Sequence, residues 1–234
     1  MIEIKKGTEP KELLEYRQQK FASYADMPAD VKKKVIKSLL LEQGHLCAYC
    51  MSRINADDGK HKTTIEHCTP QSATTEKERL DYKNMVAVCW GNRDAHSNDD
   101  KSCDAKRGTL KDVQQNMKKI NVLDGSTLSD IKYRSDGTIY SDNMEVDEDL
   151  NVRLNLNCEA RRLKECRLQA LRSLHRNITL KYPNKTAPKG YYQKLLDHYM
   201  EQREMQEPSL HHFHRAGSGS GIYPCRPGKR SLQM

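Results

Sequence analysis

The apolar positions of this chain change their spacing as it proceeds, and each change marks an element. Residues 1–10 read as a short extended lead-in, with Pro10 suited to a first helical turn. From Lys11 to about Tyr24, Leu13, Leu14, Tyr16 and Phe21 leave an irregular apolar stripe on a polar helix. After a turn through residues 25–30, in which Pro28 or Asp30 can start the next helix, Val31, Val35, Leu39 and Leu40 recur at helical spacing up to about Gln43. Gly44 is the expected stop. The spacing then switches to alternation: Lys62 to Cys68 predicts one strand and Asn84 to Trp90 a second. The polar stretch from Trp90 to Asp100 reads as a loop, and Lys101 onwards opens a short helix. Further on, Asp136-Gly137 between Ile131–Arg134 and Thr138–Tyr140 predicts a hairpin, because Asp-Gly tolerates the positive φ of a tight turn. An acidic patch follows at Asp142, Glu145, Asp147, Glu148 and Asp149. Cys158 to about Thr179 carries Leu163, Cys166, Ala170, Leu171, Leu174 and Ile178 on one helical face. Its other face is rich in arginine. A further helix is expected from Tyr191 to about Met205, and a flexible tail beyond it.

These elements predict an α+β fold: a helical region over 1–44, a cysteine-rich centre over 45–112, a hairpin with a helical region over 113–215, and a tail over 216–234. Composition narrows the partners. The chain has 234 residues, 36% hydrophobic and 31% charged, with a formal net charge of +8. A basic surface suits a polyanion, most simply nucleic acid, although it can serve solubility alone. Lys32, Lys33, Lys34 and Lys37 admit both readings, a solvated face or phosphate contact. No run approaches the roughly 18 apolar residues of a membrane span, and the charged start lacks a signal-peptide core. A cytoplasmic location is therefore expected, where thiols stay reduced and clustered cysteines serve as metal ligands.

Four of the eight cysteines stand at such positions. Cys47 and Cys50 form a C-x2-C knuckle able to share one tetrahedral zinc. Cys89 and Cys103 complete the set if residues 90–102 loop out between the second strand and the short helix. Four thiolates close the coordination sphere, so the zinc would be structural. Buried free thiols or a redox pair at Cys47 and Cys50 are the other readings, and His96 can replace one thiolate. Cys68 points to the opposite strand face from His67 and stays outside the set. Cys158 and Cys166 read as small core residues. His211, His212, His214 and Cys225 lie in the tail.

Between the cysteines lies a kit for phosphodiester hydrolysis, which needs a water, a group to take its proton, and positive charge near the phosphate. His67 can take the proton at neutral pH. The adjacent Glu66, on the other strand face, can hold a divalent ion, Mg²⁺ or Mn²⁺, that supplies the charge. Asn84 can fix the loop that carries His67 through its amide. Asp104 would bring a second oxygen ligand to the ion, and Lys106 and Arg107 would meet the flanking phosphates. Residues 101–119 carry Lys101, Lys106, Arg107, Lys111, Lys118 and Lys119 against Asp104 and Asp112, a balance suited to gripping a nucleic-acid backbone.

The blocks Cys47-x2-Cys50, Ile65-Glu66-His67-Cys68-Thr69-Pro70, Leu80 to Cys89 and Cys103 to Gly108 resemble a zinc-containing HNH endonuclease. The resemblance implies a ββα-metal core with His67 as general base and Asn84 as the middle asparagine. Asp104 stands where many relatives have a final His or Asn. Lys6-Gly7-Thr8-Glu9-Pro10, Leu39 to Cys50 and Leu154-Asn155-Leu156-Asn157 extend the likeness to the PtuB-type HNH proteins of Septu and certain retron anti-phage systems, over about residues 1–180. That resemblance implies a PtuA-like ABC/SMC-type ATPase partner, with the flanking helical regions as its docking surface. The leading expectation is thus an endonuclease cutting DNA with weak, salt-sensitive sequence preference. A ribonuclease on the same core, a non-enzymatic zinc-ribbon module and a scaffold for the ATPase are the rivals.

Overall fold

The computed structural model describes residues 1–55, 63–183, 186–195 and 197. Helix α1 spans Lys11–Arg17 and α2 spans Ala29–Glu42. Strand β1, Thr63–His67, pairs antiparallel with β2, Met85–Cys89, so that His67 lies opposite Met85 and Thr63 opposite Cys89. Between them sits the single turn α3, Glu76–Arg79, started by a reciprocal capping box between Thr75 and Glu78. A second one-turn helix, α4, covers Asp104–Arg107. Strands β3, Lys132–Tyr133, and β4, Ile139–Tyr140, form the expected hairpin, with Gly137 at φ 86° in its turn. Helix α5, Met144–Glu148, runs into a π turn over Asp149–Arg153, and α6 spans Leu163–Lys181. The fold is α+β, built from helices and two small sheets.

The glutamate and glutamine that end α2 explain how the sheet is held. The Glu42 carboxylate accepts from Lys6 Nζ at 2.8 Å, from Gly7 N at 2.9 Å and from the Tyr82 hydroxyl at 2.6 Å. Gln43, 1% exposed, offers its amide to the outer edge of β2: Nε2 donates to Ala87 O at 2.8 Å and Oε1 accepts from Ala87 N at 2.7 Å. One side chain thereby does what a third strand would do for a buried edge. Gly44 and His45 then take left-handed backbone at φ 57° and 59°, which ends the helix and turns the chain into the Cys47 knuckle.

One apolar core takes Ile4, Leu13, Leu39, Val86, Ile120, Val122, Leu150 and Leu156 from segments far apart in sequence. No helix of the described residues is long and apolar enough to cross a membrane.

Several expectations shift. The first helix stops at Arg17 rather than near Tyr24, because the Tyr16 hydroxyl donates to Ser23 O at 2.8 Å and accepts from Ser23 N, folding the chain back. Phe21, counted in its stripe, is 85% exposed. The helix expected from Cys158 begins at Leu163, since Arg162 is left-handed at φ 52°. The acidic patch is not a surface feature throughout: Asp149 is 0% exposed and accepts from the backbone N–H groups of Lys118, Lys119 and Ile120. It clamps the segment after α4 onto the π turn. Of the helix expected over 191–205, residues 191–195 and 197 are described and helical. The rest of that stretch, Lys62, the tail histidines and Cys225 lie outside the described residues.

Candidate active site and metal centre

The four cysteines expected to share a metal converge. Cys47 and Cys50 come from the knuckle after α2, Cys89 from the end of β2, and Cys103 from the residue that starts α4. Their sulfurs all lie within 4.8 Å of one another, the one group of three or more such ligands among the described residues. The Cys50–Cys89 and Cys89–Cys103 sulfur pairs are 3.7 Å apart and Cys47–Cys103 is 4.0 Å apart. A tetrahedron with Zn–S bonds of about 2.3 Å has edges of about 3.8 Å, whereas a disulfide would need about 2.05 Å. The spacing therefore fits a four-thiolate metal ion, and all four cysteines are free. Hydrogen bonds from Cys103, Cys47 and Cys89 pull the Cys50 thiol well below its usual range, whereas burial pushes the Cys47 thiol up and hydrogen bonds with its neighbours push Cys103 up. His96 and Cys68 stand outside it; burial pushes the Cys68 thiol up to about 12.

The loop between Cys89 and Cys103 closes as the spacing required. Ser102 N donates to Gly91 O at 2.9 Å, and Gly91 sits at φ 63°, where a Cβ would lie 2.2 Å from Ser102 O. Only glycine permits that approach. Cys103 itself is left-handed, at φ 57°, and its N–H donates to Leu154 O at 2.7 Å.

The β1 pair Glu66–His67 divides its side chains between two environments, as neighbours on a strand do. His67 is 2% exposed. Its Nε2 lies 2.8 Å from Arg79 O, and its Nδ1 lies 3.3 Å from the Gln71 side-chain amide. A carbonyl only accepts, so Nε2 carries the proton and Nδ1 keeps its lone pair. The Tyr24 ring packs edge-on against the imidazole with centroids 4.5 Å apart. Burial lowers the His67 pKa, so the neutral, basic form is favoured, with the Arg79 carbonyl opposing that shift.

Asn84 braces the same loop. Its Oδ1 accepts from Thr69 N at 2.8 Å, its Nδ2 donates to Thr69 O at 3.2 Å, and its own carbonyl accepts from Cys68 N at 2.9 Å. It positions the chain after His67 rather than reaching into the site.

Glu66 is buried beside the Asp104 side chain, within hydrogen-bonding reach. Each carboxylate also has an arginine: Arg107 Nη1 bonds Glu66 and Arg93 Nη2 bonds Asp104. Burial, then the Asp104 charge, push the Glu66 carboxyl well above the usual carboxylate range, and Arg107 pulls against both. Two adjoining carboxylates suit a hard divalent cation that takes its other ligands from water and phosphate. Arg93 is partly exposed, whereas Arg107 is buried.

Arg107 does not stand where a phosphate contact was expected. It is 2% exposed, and its guanidinium donates to Gln115 O, the Tyr49 hydroxyl, Glu66, His67 O and Cys68 O. With its donors engaged inside the protein, it is an internal strut. The Lys106 side chain is 14% exposed and pairs with the exposed Asp99 at 2.9 Å.

Sequence reasoning missed Tyr24, Gln71, Arg79 and Arg93. Tyr24 packs on His67 and feels the carboxylates at longer range: burial first, then the charges of Glu66 and Asp104, push its phenol up to about 12. Nothing in local spacing marks it, because it lies in the turn between α1 and α2. Gln71 and Arg79 were findable only as neighbours of the loop that follows His67. No protein-family model matches the chain, and no curated protein matches it.

Proposed function

We propose that this chain is a metal-dependent endonuclease of the HNH kind, with zinc on the cysteine quartet as a structural clamp. The observation that supports this reading most is the state of His67. The Arg79 carbonyl fixes its tautomer, so that a basic Nδ1 faces away from the bond that anchors the ring. The adjacent residue, Glu66, projects to the other strand face, where it meets Asp104, whose charge is felt at His67. In the proposed reaction Nδ1 would take the proton of a water as its oxygen bonds to the scissile phosphorus; the P–O bond to the leaving sugar oxygen breaks, and that oxygen takes a proton from solvent. Asn84 holds the loop, and Tyr24 walls the imidazole against bulk solvent. A divalent ion, Mg²⁺ or Mn²⁺, bound at Glu66 and Asp104 would supply positive charge at the phosphate. The antiparallel pair β1–β2 followed by the short α4 has the element order of a ββα-metal core. Duplex DNA is the proposed substrate. The resemblance to PtuB-type proteins adds an ABC/SMC-type ATPase as proposed partner, testable by co-purification of the two chains.

A second reading, a zinc-stabilised binding module without catalysis, draws on the burial of His67 and on Arg107 closing over Glu66. Plasmid cleavage in Mg²⁺ or Mn²⁺ separates the two. The endonuclease reading expects His67→Ala to fold, keep its zinc and cut at least about 100-fold more slowly, the usual loss when a general base goes. Equal cutting by the folded variant would sink it, and tRNA as a parallel substrate distinguishes a ribonuclease.

A further inference from the structure

The cysteine cage has an outer partner that the four ligands do not account for. Arg161 Nη2 lies 3.6 Å from Cys89 Sγ. Its Nε is buried and has no hydrogen-bond partner among the described residues. A buried donor without a partner is destabilising, so a compensating attraction is required. Among the described residues, the group its guanidinium faces is the sulfur cluster, through Cys89.

The segment that carries Arg161 is fastened around the same cage. Leu154 O accepts from Cys103 N at 2.7 Å. Asn155, left-handed at φ 47°, donates through Nδ2 to Asp99 O and Lys101 O, both at 2.8 Å. Cys158 Sγ lies 3.6 Å from Asp99 O. Residues 154–161 therefore form a strap across the loop that joins Cys89 to Cys103, and Arg161 is its end over the sulfurs.

We propose that Arg161 is a positioning residue of the metal centre, the cationic cover of a four-thiolate zinc. Zn²⁺ with four thiolates carries a net charge of −2, which a buried site holds poorly without a counter-charge. A guanidinium over Cys89 supplies one unit of counter-charge and makes that thiolate a poorer target for protons, whose arrival would release it from the metal. It also ties metal retention to the strap, and through the strap to the start of α6. The inference rests on the zinc assignment and is independent of the nuclease reading.

The test is zinc transfer from the full-length, zinc-loaded protein to a chromogenic chelator. Arg161→Met should release zinc 10- to 100-fold faster, the usual effect of losing an outer-shell partner. Arg161→Lys, which keeps the charge, should recover much of the difference. Arg167→Met is the comparison, because Arg167 fastens the start of α6 to Gly137 O and to Leu156 O and Asn157 Oδ1 of the strap without a bond to sulfur. It loosens the strap and leaves the cation over Cys89, so it should accelerate release less than Arg161→Met does. Wild-type release from Arg161→Met, or equal acceleration by Arg161→Met and Arg167→Met, overturns the proposal. If Arg161→Met does not fold, Arg161→Gln against Arg161→Lys makes the same comparison. Absence of metal from the purified wild-type protein would fail the zinc assignment instead, a separate outcome.

Discussion

Arg107 and Lys106 adjoin in sequence and have opposite fates. Their types alone suggest a pair of phosphate contacts; burial makes Arg107 the strut that ties α4 to β1 and the loop after it. Removing one partner of a buried pair leaves the other charge uncompensated. Arg107→Ala should therefore lower stability by about 3–5 kcal/mol in urea unfolding. Lys106→Ala should change it by less than about 1 kcal/mol, because its partner Asp99 is exposed. Comparable losses would contradict the assignment. Gln71 gives a sharper residue-level contrast on activity. It is exposed and touches His67 only at Nδ1, so Gln71→Ala should uncover the basic nitrogen and cut DNA at or above the wild-type rate. A tenfold loss would mean that Gln71 orients the ring instead of covering it.

The element scale shows what the cysteine spacing could and could not say. The knuckle after α2 and the loop between Cys89 and Cys103 need tight turns, and the structure supplies them with left-handed residues at Met51, Gly91, Asn92 and Cys103. Gly91→Ala should cost about 1–3 kcal/mol or more through its positive φ and the clash with Ser102 O, and should lower zinc content with it. Thermal melting with metal analysis checks both; an unshifted melting temperature would contradict the close-approach argument. The two strands, the hairpin and α2 were legible because their periodicity is local and their stops are chemical, Gly44 and Asp136-Gly137 among them. The cysteine quartet was legible because thiols in a reduced setting have few other uses. What sequence could not give was long-range: Gln43 closing the β2 edge, Asp149 holding the segment after α4, and Tyr24 beside His67. Each pairs a residue with backbone or a ring far along the chain, and nothing in local spacing encodes that distance.

At the scale of the molecule, the metal cage and the apolar core share members. Cys47, Cys89 and Cys103 belong to the same buried cluster as Leu39, Val86 and Leu154. Withdrawing zinc with a chelator should therefore unfold the sheet rather than loosen one loop, and far-UV circular dichroism should show a cooperative loss; retention of the native spectrum would make the zinc dispensable. The proposed catalytic centre is separate in kind. Its ligands would be the carboxylates of Glu66 and Asp104, hard oxygen instead of soft sulfur, so the proposed catalytic ion should be separable from one on the cysteines. The most direct measurement is the rate of plasmid nicking by zinc-loaded protein, with an ATPase added where one co-purifies, titrated with Mg²⁺ or Mn²⁺. The account predicts no cutting without added divalent ion, saturable cutting with it, and loss of that response in Asp104→Asn. Cutting that ignores the added ion, or none at any concentration, would contradict it.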